Sequence, residues 1–303
     1  MTNSLKPNLV LRRSHGLHAL HVSRVLGLFL AVSLSTTTAA VCAELSLSSS
    51  SAKQGQPIEV IYKTETAEDS PTFTFARQTY KLFPSPGAEG EGDGQHIYKA
   101  ILAPSLELDP GVYTLKNDNA STKLKVLDGK FQMRYLTLPK SKDNFNTSPG
   151  EEEAVNAAKE TCSPQRFWTA DFTRPSKART STPFGVRRTV NGKFLKDYFH
   201  SGLDFAGGLG SPVVACAPGV VVLARTGFKL HGNCVAIDHG QGIVSFYIHL
   251  QKLHVTKGQQ VKAGELIGRI GQTGRANGPH LHFSIYCNKA ASNPNNWFTN
   301  AIK

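Results

Sequence analysis

Gly219-Val-Val-Val-Leu-Ala224, Cys234-Val-Ala-Ile-Asp238 and Ile243-Val-Ser-Phe-Tyr-Ile-His249 are runs rich in β-branched and aromatic residues, bounded by glycines. Runs of this kind predict buried β-strands, and Val213-Val-Ala-Cys216 adds a fourth. Further on, Val255-Thr-Lys-Gly258-Gln-Gln-Val261-Lys-Ala-Gly264-Glu-Leu-Ile267-Gly268 carries glycines at intervals that suit tight turns between very short strands. The C-terminal part of the chain is therefore expected to be an antiparallel β structure, and its third run ends on a histidine.

That histidine has company. Seven of the eleven histidines lie from His200 onward, and five polar residues stand in order: His200-Ser-Gly-Leu-Asp204, His249, and His280-Leu-His282. Zinc accepts imidazole nitrogen and carboxylate oxygen, and a catalytic site commonly supplies three protein ligands while leaving a fourth position to water. His200, Asp204 and one member of the His280/His282 pair make that count. Two residues apart on a strand, His280 and His282 would share a face, so one can bind metal while the other serves the chemistry. Gly202 permits an unusual backbone path, so that His200 and Asp204 can converge without a helix. No HExxH helix occurs in the sequence. A single strand histidine is more often a packed or surface residue, and His231, His239 and His254, which lack such partnering, are read that way.

The ordered series resembles the lysostaphin/LytM-type zinc metallopeptidases that cut peptide bonds in bacterial peptidoglycan. The resemblance spans residues 182–297. Phe184-Gly185-Val-Arg187-Arg188 looks like the family's opening motif and His200-Ser-Gly-Leu-Asp204 like its HxxxD ligand motif. Gly232-Asn233, Asp238-His239-Gly240, Tyr247-Ile-His249-Leu, Gly271-Gln-Thr273-Gly274 and Gly278-Pro-His280-Leu-His282-Phe follow in the family's order. The resemblance implies that His200, Asp204 and His282 bind zinc, while His249 and His280 line the site as catalytic residues. Ile248 stands where alanine or serine is more usual, and Cys216 and Cys234 occupy positions with no family-wide cysteine; none of these touches the five polar residues. The implied fold is an antiparallel peptidase domain related to barrel-sandwich hybrids. The short-strand pattern also looks like a biotinyl/lipoyl carrier, but the carrier's lysine motif is lacking.

The chemistry implied is hydrolysis. Zinc lowers the pKa of bound water to about 7 and polarises a carbonyl, and imidazoles can take the water's proton, steady the oxyanion and protonate the leaving amine. The expected function is a zinc endopeptidase acting on peptidoglycan cross-links, D-alanyl links favoured over Gly-Gly bridges. The alternative is a non-catalytic relative that binds the wall and activates another hydrolase; such members usually lack metal ligands, and all three positions are filled here.

Residues 1–43 read as a secretory signal: no Asp or Glu, four basic residues (Lys6, Arg12, Arg13, Arg24), the apolar run Val25-Leu-Gly-Leu-Phe-Leu-Ala-Val-Ser-Leu34, and small residues up to Ala43. The run is too short for a stable membrane span, so contact with a membrane is expected only through this segment. Its removal takes four positive charges from a net +12 and leaves +8. A basic surface favours an anionic partner such as a carboxylate-rich cell wall; no nucleic-acid motif is present. An exported location, periplasmic or on the wall, follows from the signal, and the sequence does not fix the oligomeric state. Cleavage would leave Cys162, Cys216, Cys234 and Cys287, an even number that permits two disulfides, with Cys216 and Cys234 the first candidates for a pair and buried free thiols the alternative.

Residues 44–140 read as an N-terminal β-sandwich of immunoglobulin-like size. Ile58-Glu-Val-Ile-Tyr62, Thr72-Phe-Thr-Phe75, Tyr113-Thr-Leu115 and Lys123-Leu-Lys-Val126 are strand-like and separated by turn signals such as Asp109-Pro-Gly111. Residues 84–94 are expected to form an exposed loop. Residues 141–180 form the expected linker, with a helix beginning where Ser148-Pro149 meets three glutamates, and residues 181–303 the peptidase domain.

Overall fold

A computed structural model describes residues 43–85, 95–137, 139, 145–168 and 172–298. Both the expected signal peptide, up to residue 42, and most of the expected 84–94 loop lie outside the described residues.

The chain begins with β1 (Glu44–Leu47), β2 (Ser51–Lys53), β3 (Ile58–Thr64), β4 (Thr72–Phe75), β5 (Gln78–Lys81), β6 (Phe83–Pro84), β7 (His96–Leu102), β8 (Gly111–Lys116) and β9 (Ser121–Leu127). They form two sheets, ordered β1-β3-β7-β6 and β2-β9-β8-β4-β5. Strand β3 shows why: Ile58, Val60, Tyr62 and Thr64 are buried in strict alternation, as a strand with one face on a core requires. Both sheets turn such faces toward one apolar cluster that includes Val60, Tyr62, Phe73, Leu102, Leu115 and Leu124.

The next elements are β10 (Met133–Leu136), α1 (Glu151–Lys159), β11 (Thr180–Thr182), β12 (Arg187–Val190), β13 (Lys193–Phe199), β14 (Leu203–Phe205), β15 (Pro212–Val214), β16 (Gly219–Phe228), β17 (Gly232–Gly240) and β18 (Ile243–Leu253). The chain closes with β19 (Gln260–Val261), β20 (Leu266–Ile270), β21 (Leu281–Cys287), β22 (Ala290–Ser292) and α2 (Asn295–Phe298). A long antiparallel sheet runs β11-β14-β21-β18-β17-β16-β19. Its centre is buried on both faces. Val235, Ile237 and Tyr247 point into a core with Phe205, Phe283 and Trp297, whereas Cys234, Ala236, Val244 and Phe246 point the other way, against Val155 and Ala158 of α1. The protein is thus mostly β, and its one long described helix covers the outer face of the sheet that carries the histidines.

Two features tie the N-terminal strands to this sheet. Ile101, Ala103 and Leu106 join the main core of the C-terminal part, and the Gly55 carbonyl accepts hydrogen bonds from Asn293 N (2.8 Å) and Ser292 Oγ (3.2 Å). Strand β10 pairs in parallel with β12, which pairs with β13 to make a three-stranded sheet.

The disulfide expectation is corrected. All four described cysteines are free. Cys216 and Cys234 cannot meet because their side chains belong to the two opposite-facing clusters of the long sheet. Cys216 packs beside His239 (3.6 Å) instead.

Candidate active site

The site is assembled from strand β14, strand β21 and a distortion in β18. Asp204 and His282 are directly opposed across the β14–β21 ladder, and Ile248 of β18 opposes His282 on its other side. His200 enters just before β14. The turn between His200 and Asp204 passes so close to β21 that a Cβ at Gly202 would strike the Phe283 carbonyl, which accounts for the glycine.

Three ligand-type atoms converge. His200 Nε2 lies 3.0 Å from Asp204 Oδ1, His282 Nδ1 lies 3.0 Å from the same oxygen, and the two nitrogens are 2.9 Å apart. Each imidazole is held from behind. His200 Nδ1–H donates to the Pro183 carbonyl (2.8 Å), and His282 Nε2 is paired with the Ser284 hydroxyl (2.8 Å). With those outer nitrogens protonated, the inner nitrogens and the carboxylate aim lone pairs at one another. Such a cluster is electrostatically unfavourable unless a proton or cation lies among them, and the set of two imidazoles and one carboxylate suits zinc. The three atoms all lie within 4.8 Å of one another, so one ion could reach them all. Where protons rather than an ion bridge the cluster, the inner nitrogens of His200 and His282 donate to Asp204; burial alone would push its carboxyl up, but these bonds outweigh it and hold the group well below the usual carboxylate range.

His249 and His280 stand beside this cluster, their ring centroids 4.9 Å apart. His249 has φ +65°, a left-handed conformation that a non-glycine residue adopts only under constraint. The constraint is a bulge: the β17–β18 register shifts between the pairs Val235–Tyr247 and Asn233–Leu250, and His249 occupies the extra position. A regular strand would alternate it away; the bulge re-aims the ring into the cleft. There, His249 Nδ1–H donates to the Thr273 carbonyl (2.9 Å) and its backbone N–H to the His231 carbonyl (3.0 Å). Burial, and then the neighbouring His280 and His282, push its pKa down to about 3, so the ring is neutral at pH 7 with Nε2 available as an acceptor. His280 Nδ1–H donates to the Gly278 carbonyl (2.9 Å), and its Nε2 is 3.9 Å from Asp204 Oδ1.

All five sequence-predicted residues therefore line one cleft of about 410 Å³. His239 is a core residue, as expected: buried, its Nε2 paired with Ser245 Oγ (2.8 Å) and its pKa pushed down to about 4 by burial. His254 is exposed. His231 departs from expectation. It lines the cleft, and its Nδ1 sits 2.8 Å from Glu151 of α1. Glu151 is fully buried, and its carboxylate also accepts the backbone N–H groups of Ser148, Lys229, Leu230 and His231 at 2.7–3.0 Å. Burial opposes ionisation, yet these bonds lower its pKa to about 2. Glu151 thus clasps the 229–231 loop, whose last carbonyl holds the backbone of His249. Sequence reasoning saw only a helix start in this glutamate. It also passed over the cleft-lining Arg134 and Arg275, which no periodicity marks, and quoted Arg188 only as part of the opening motif, without a role.

A His-Asp-His cluster flanked by two further histidines, on the strands of an antiparallel cleft, is a donor set suited to a metal ion with imidazoles beside it. Residues 198–294 match Peptidase family M23. A stretch of 110 residues, 36% of the chain, is 43% identical to the peptidoglycan DD-endopeptidase ShyA of Vibrio cholerae, covering 25% of that protein. A stretch of 118 residues, 38% of the chain, is 40% identical to the DD-carboxypeptidase/endopeptidase Mpg of Neisseria meningitidis, covering 26% of it. The matches thus span about a quarter of the length of these relatives. A crystal structure from Pseudomonas aeruginosa, described as a candidate M23 peptidase, superposes with a TM-score of 0.58 at 26% identity, covering 80% of this chain and 93% of that one. No helix among the described residues is long and apolar enough to cross a membrane.

Proposed function

We propose that the protein is an exported zinc endopeptidase that hydrolyses peptide cross-links of bacterial peptidoglycan, with D-alanyl links preferred to Gly-Gly bridges. The observation that carries this reading is the convergence of His200 Nε2, Asp204 Oδ1 and His282 Nδ1 at 2.9–3.0 Å beside the rings of His249 and His280. The names of the relatives, DD-endopeptidase and DD-carboxypeptidase/endopeptidase, support the substrate class and the D-alanyl preference.

His200, Asp204 and His282 would hold the metal. Zinc there supplies Lewis-acid polarisation of a water and of the scissile carbonyl. The remaining work falls to the protein. Pro183 and Ser284 fix the orientation of the two imidazole ligands. His249 and His280 each spend Nδ1–H on a backbone carbonyl, which leaves Nε2 to take a proton from the attacking water or, once protonated, to donate to the oxyanion and the leaving amine. The two share this work as general base and oxyanion stabiliser. The cleft's N-terminal lining comes from Arg134 and Leu136 of β10; among the described residues, β1–β9 contribute none.

The test is digestion of purified peptidoglycan by the mature protein with and without a zinc chelator, reading fragments by mass spectrometry. Zinc-dependent loss of cross-linked dimers is expected. Intact dimers after incubation with zinc-loaded protein would refute the reading and favour a wall-binding activator.

A further inference from the structure

The parallel pairing of β10 with β12 makes Arg134 and Arg188 direct ladder partners, and both line the cleft. Like charges in directly opposed positions destabilise a sheet. Here the pair occurs within a site that already concentrates polar groups. Arg275 faces the same cleft from the loop after β20. The only carboxylate among the described lining residues is Asp204, which the two imidazoles engage. Arg134 and Arg188 therefore oppose each other in the cleft with no carboxylate of their own among the described lining residues.

How each is held bears on what it can bind. Arg134 donates to Thr182 Oγ1 (3.2 Å) and to the Ser181 carbonyl (3.0 Å), on the strand beside Asp204. Arg188 lies over the Tyr198 ring (5.0 Å from its centroid), and Arg275 over Phe145 (4.2 Å). Stacking on an aromatic face occupies the flat side of a guanidinium and leaves its in-plane donors to point outward. The Arg188 Nε is buried with no hydrogen-bond partner among the described residues, as is the Arg187 Nε, so the terminal nitrogens of Arg188 are the donors it can offer a ligand. Arg187, one residue away, faces the opposite side of β12, over Phe194 and Phe199. The alternation of the strand thus commits Arg188 alone of the two to the cleft.

We infer that Arg188, with Arg134 and Arg275, forms a subsite for a free carboxylate on the substrate peptide, close to the bond that is cut. The inference rests on the proposed peptidase reading and sharpens it. Arginine forks bind carboxylates in two-point fashion and discriminate strongly against a neutral amide. Directly cross-linked stem peptides carry free carboxylates beside their D-alanyl link, whereas a Gly-Gly bridge carries none along its length. The subsite is thus a determinant of choice between those two bonds.

The experiment uses two purified cross-linked muropeptide dimers that differ only in having free or amidated carboxyl groups. Binding of each to zinc-loaded full-length protein carrying His249→Ala, which slows turnover, is measured by calorimetry, and hydrolysis of each by wild-type protein is measured in parallel. Amidation is expected to weaken binding about tenfold or more and to raise KM rather than lower kcat. Arg188→Gln should bring the free-to-amidated ratio toward one, with Arg188→Lys intermediate because it keeps charge and loses the fork. Equal binding of the two dimers by protein with all three arginines would overturn the inference, whatever the variants do. Selective binding of the free dimer without hydrolysis by wild type would sustain the subsite and remove the peptidase reading instead.

Discussion

The two β regions bury their strands by different rules. In the sheets of β1–β9, Thr64 is the only buried polar residue among those described, and the core is Tyr, Phe, Leu and Val. In the region from α1 onward, Glu151, His200, Asp204, Asp238, His239, Ser245, His249 and Ser284 are all buried. Burying a polar group costs stability unless every bond is met. The N-terminal sheets avoid that cost; the C-terminal sheet incurs it repeatedly, at His200, Asp204 and His249 in the cleft and at Asp238, His239 and Ser245 away from it. Polar burial, more than fold or strand content, separates the scaffold from the chemistry.

The sharpest way to break this contrast is to remove a convergent ligand. His200→Ala or His282→Ala should abolish zinc retention and lower kcat/KM at least a thousandfold, on the order of several kcal/mol of transition-state stabilisation. Stoichiometric zinc in purified His282→Ala, by elemental analysis, would remove that residue from the ligand set. Next, His249→Ala should retain zinc but lose roughly a hundredfold to ten-thousandfold in kcat; a variant with normal kcat would leave the bulge without a catalytic purpose.

On the scaffold side, Leu124→Ala creates a cavity in the N-terminal core and should cost about 3 kcal/mol, with kcat of the folded protein unchanged well below its melting temperature. A matching fall in kcat would show that the two regions do not separate. The smallest effect concerns acid. Glu151 has a folded pKa of about 2 against 4.5 for the free side chain, so its contribution is present above about pH 4.5 and is lost as pH falls toward 2. Buried His239, held neutral down to about 4 from 6.5, loses its contribution over a window that begins higher and also runs downward. Thermal melts of Glu151→Gln should start lower at pH 7 and decline less than wild type between pH 4.5 and 2.5; parallel curves would exclude the clasp as the acid-labile element.

Much of this contrast is legible in the sequence, for physical reasons. Strict alternation over Ile58–Thr64 announces a half-buried strand, and the glycine-bounded apolar runs of β16–β18 announce buried ones. The five polar residues that the structure brings to one cleft are legible through their residue types and through the order of the motifs they share with the resembled family. Other features are not encoded locally. β10 reads as no strand because its partner, β12, lies more than fifty residues away and the pairing is parallel. The left-handed turn at His249 is set by register with β17, not by a residue that prefers it. Glu151 looks like an N-terminal helix glutamate, and only the fold brings residues 229–231 to its carboxylate.

The parallel β10–β12 pair has a consequence for modularity. A chain trimmed to begin at residue 162, ahead of the matched residues 198–294, loses Arg134, Leu136 and Phe145 from the cleft lining and Glu151 from behind it. Such a fragment could keep all five histidine and aspartate positions and still be a different enzyme in its choice of substrate. In domain-swapping experiments, the transferable piece starts before Met133, so that one wall of the cleft travels with its floor.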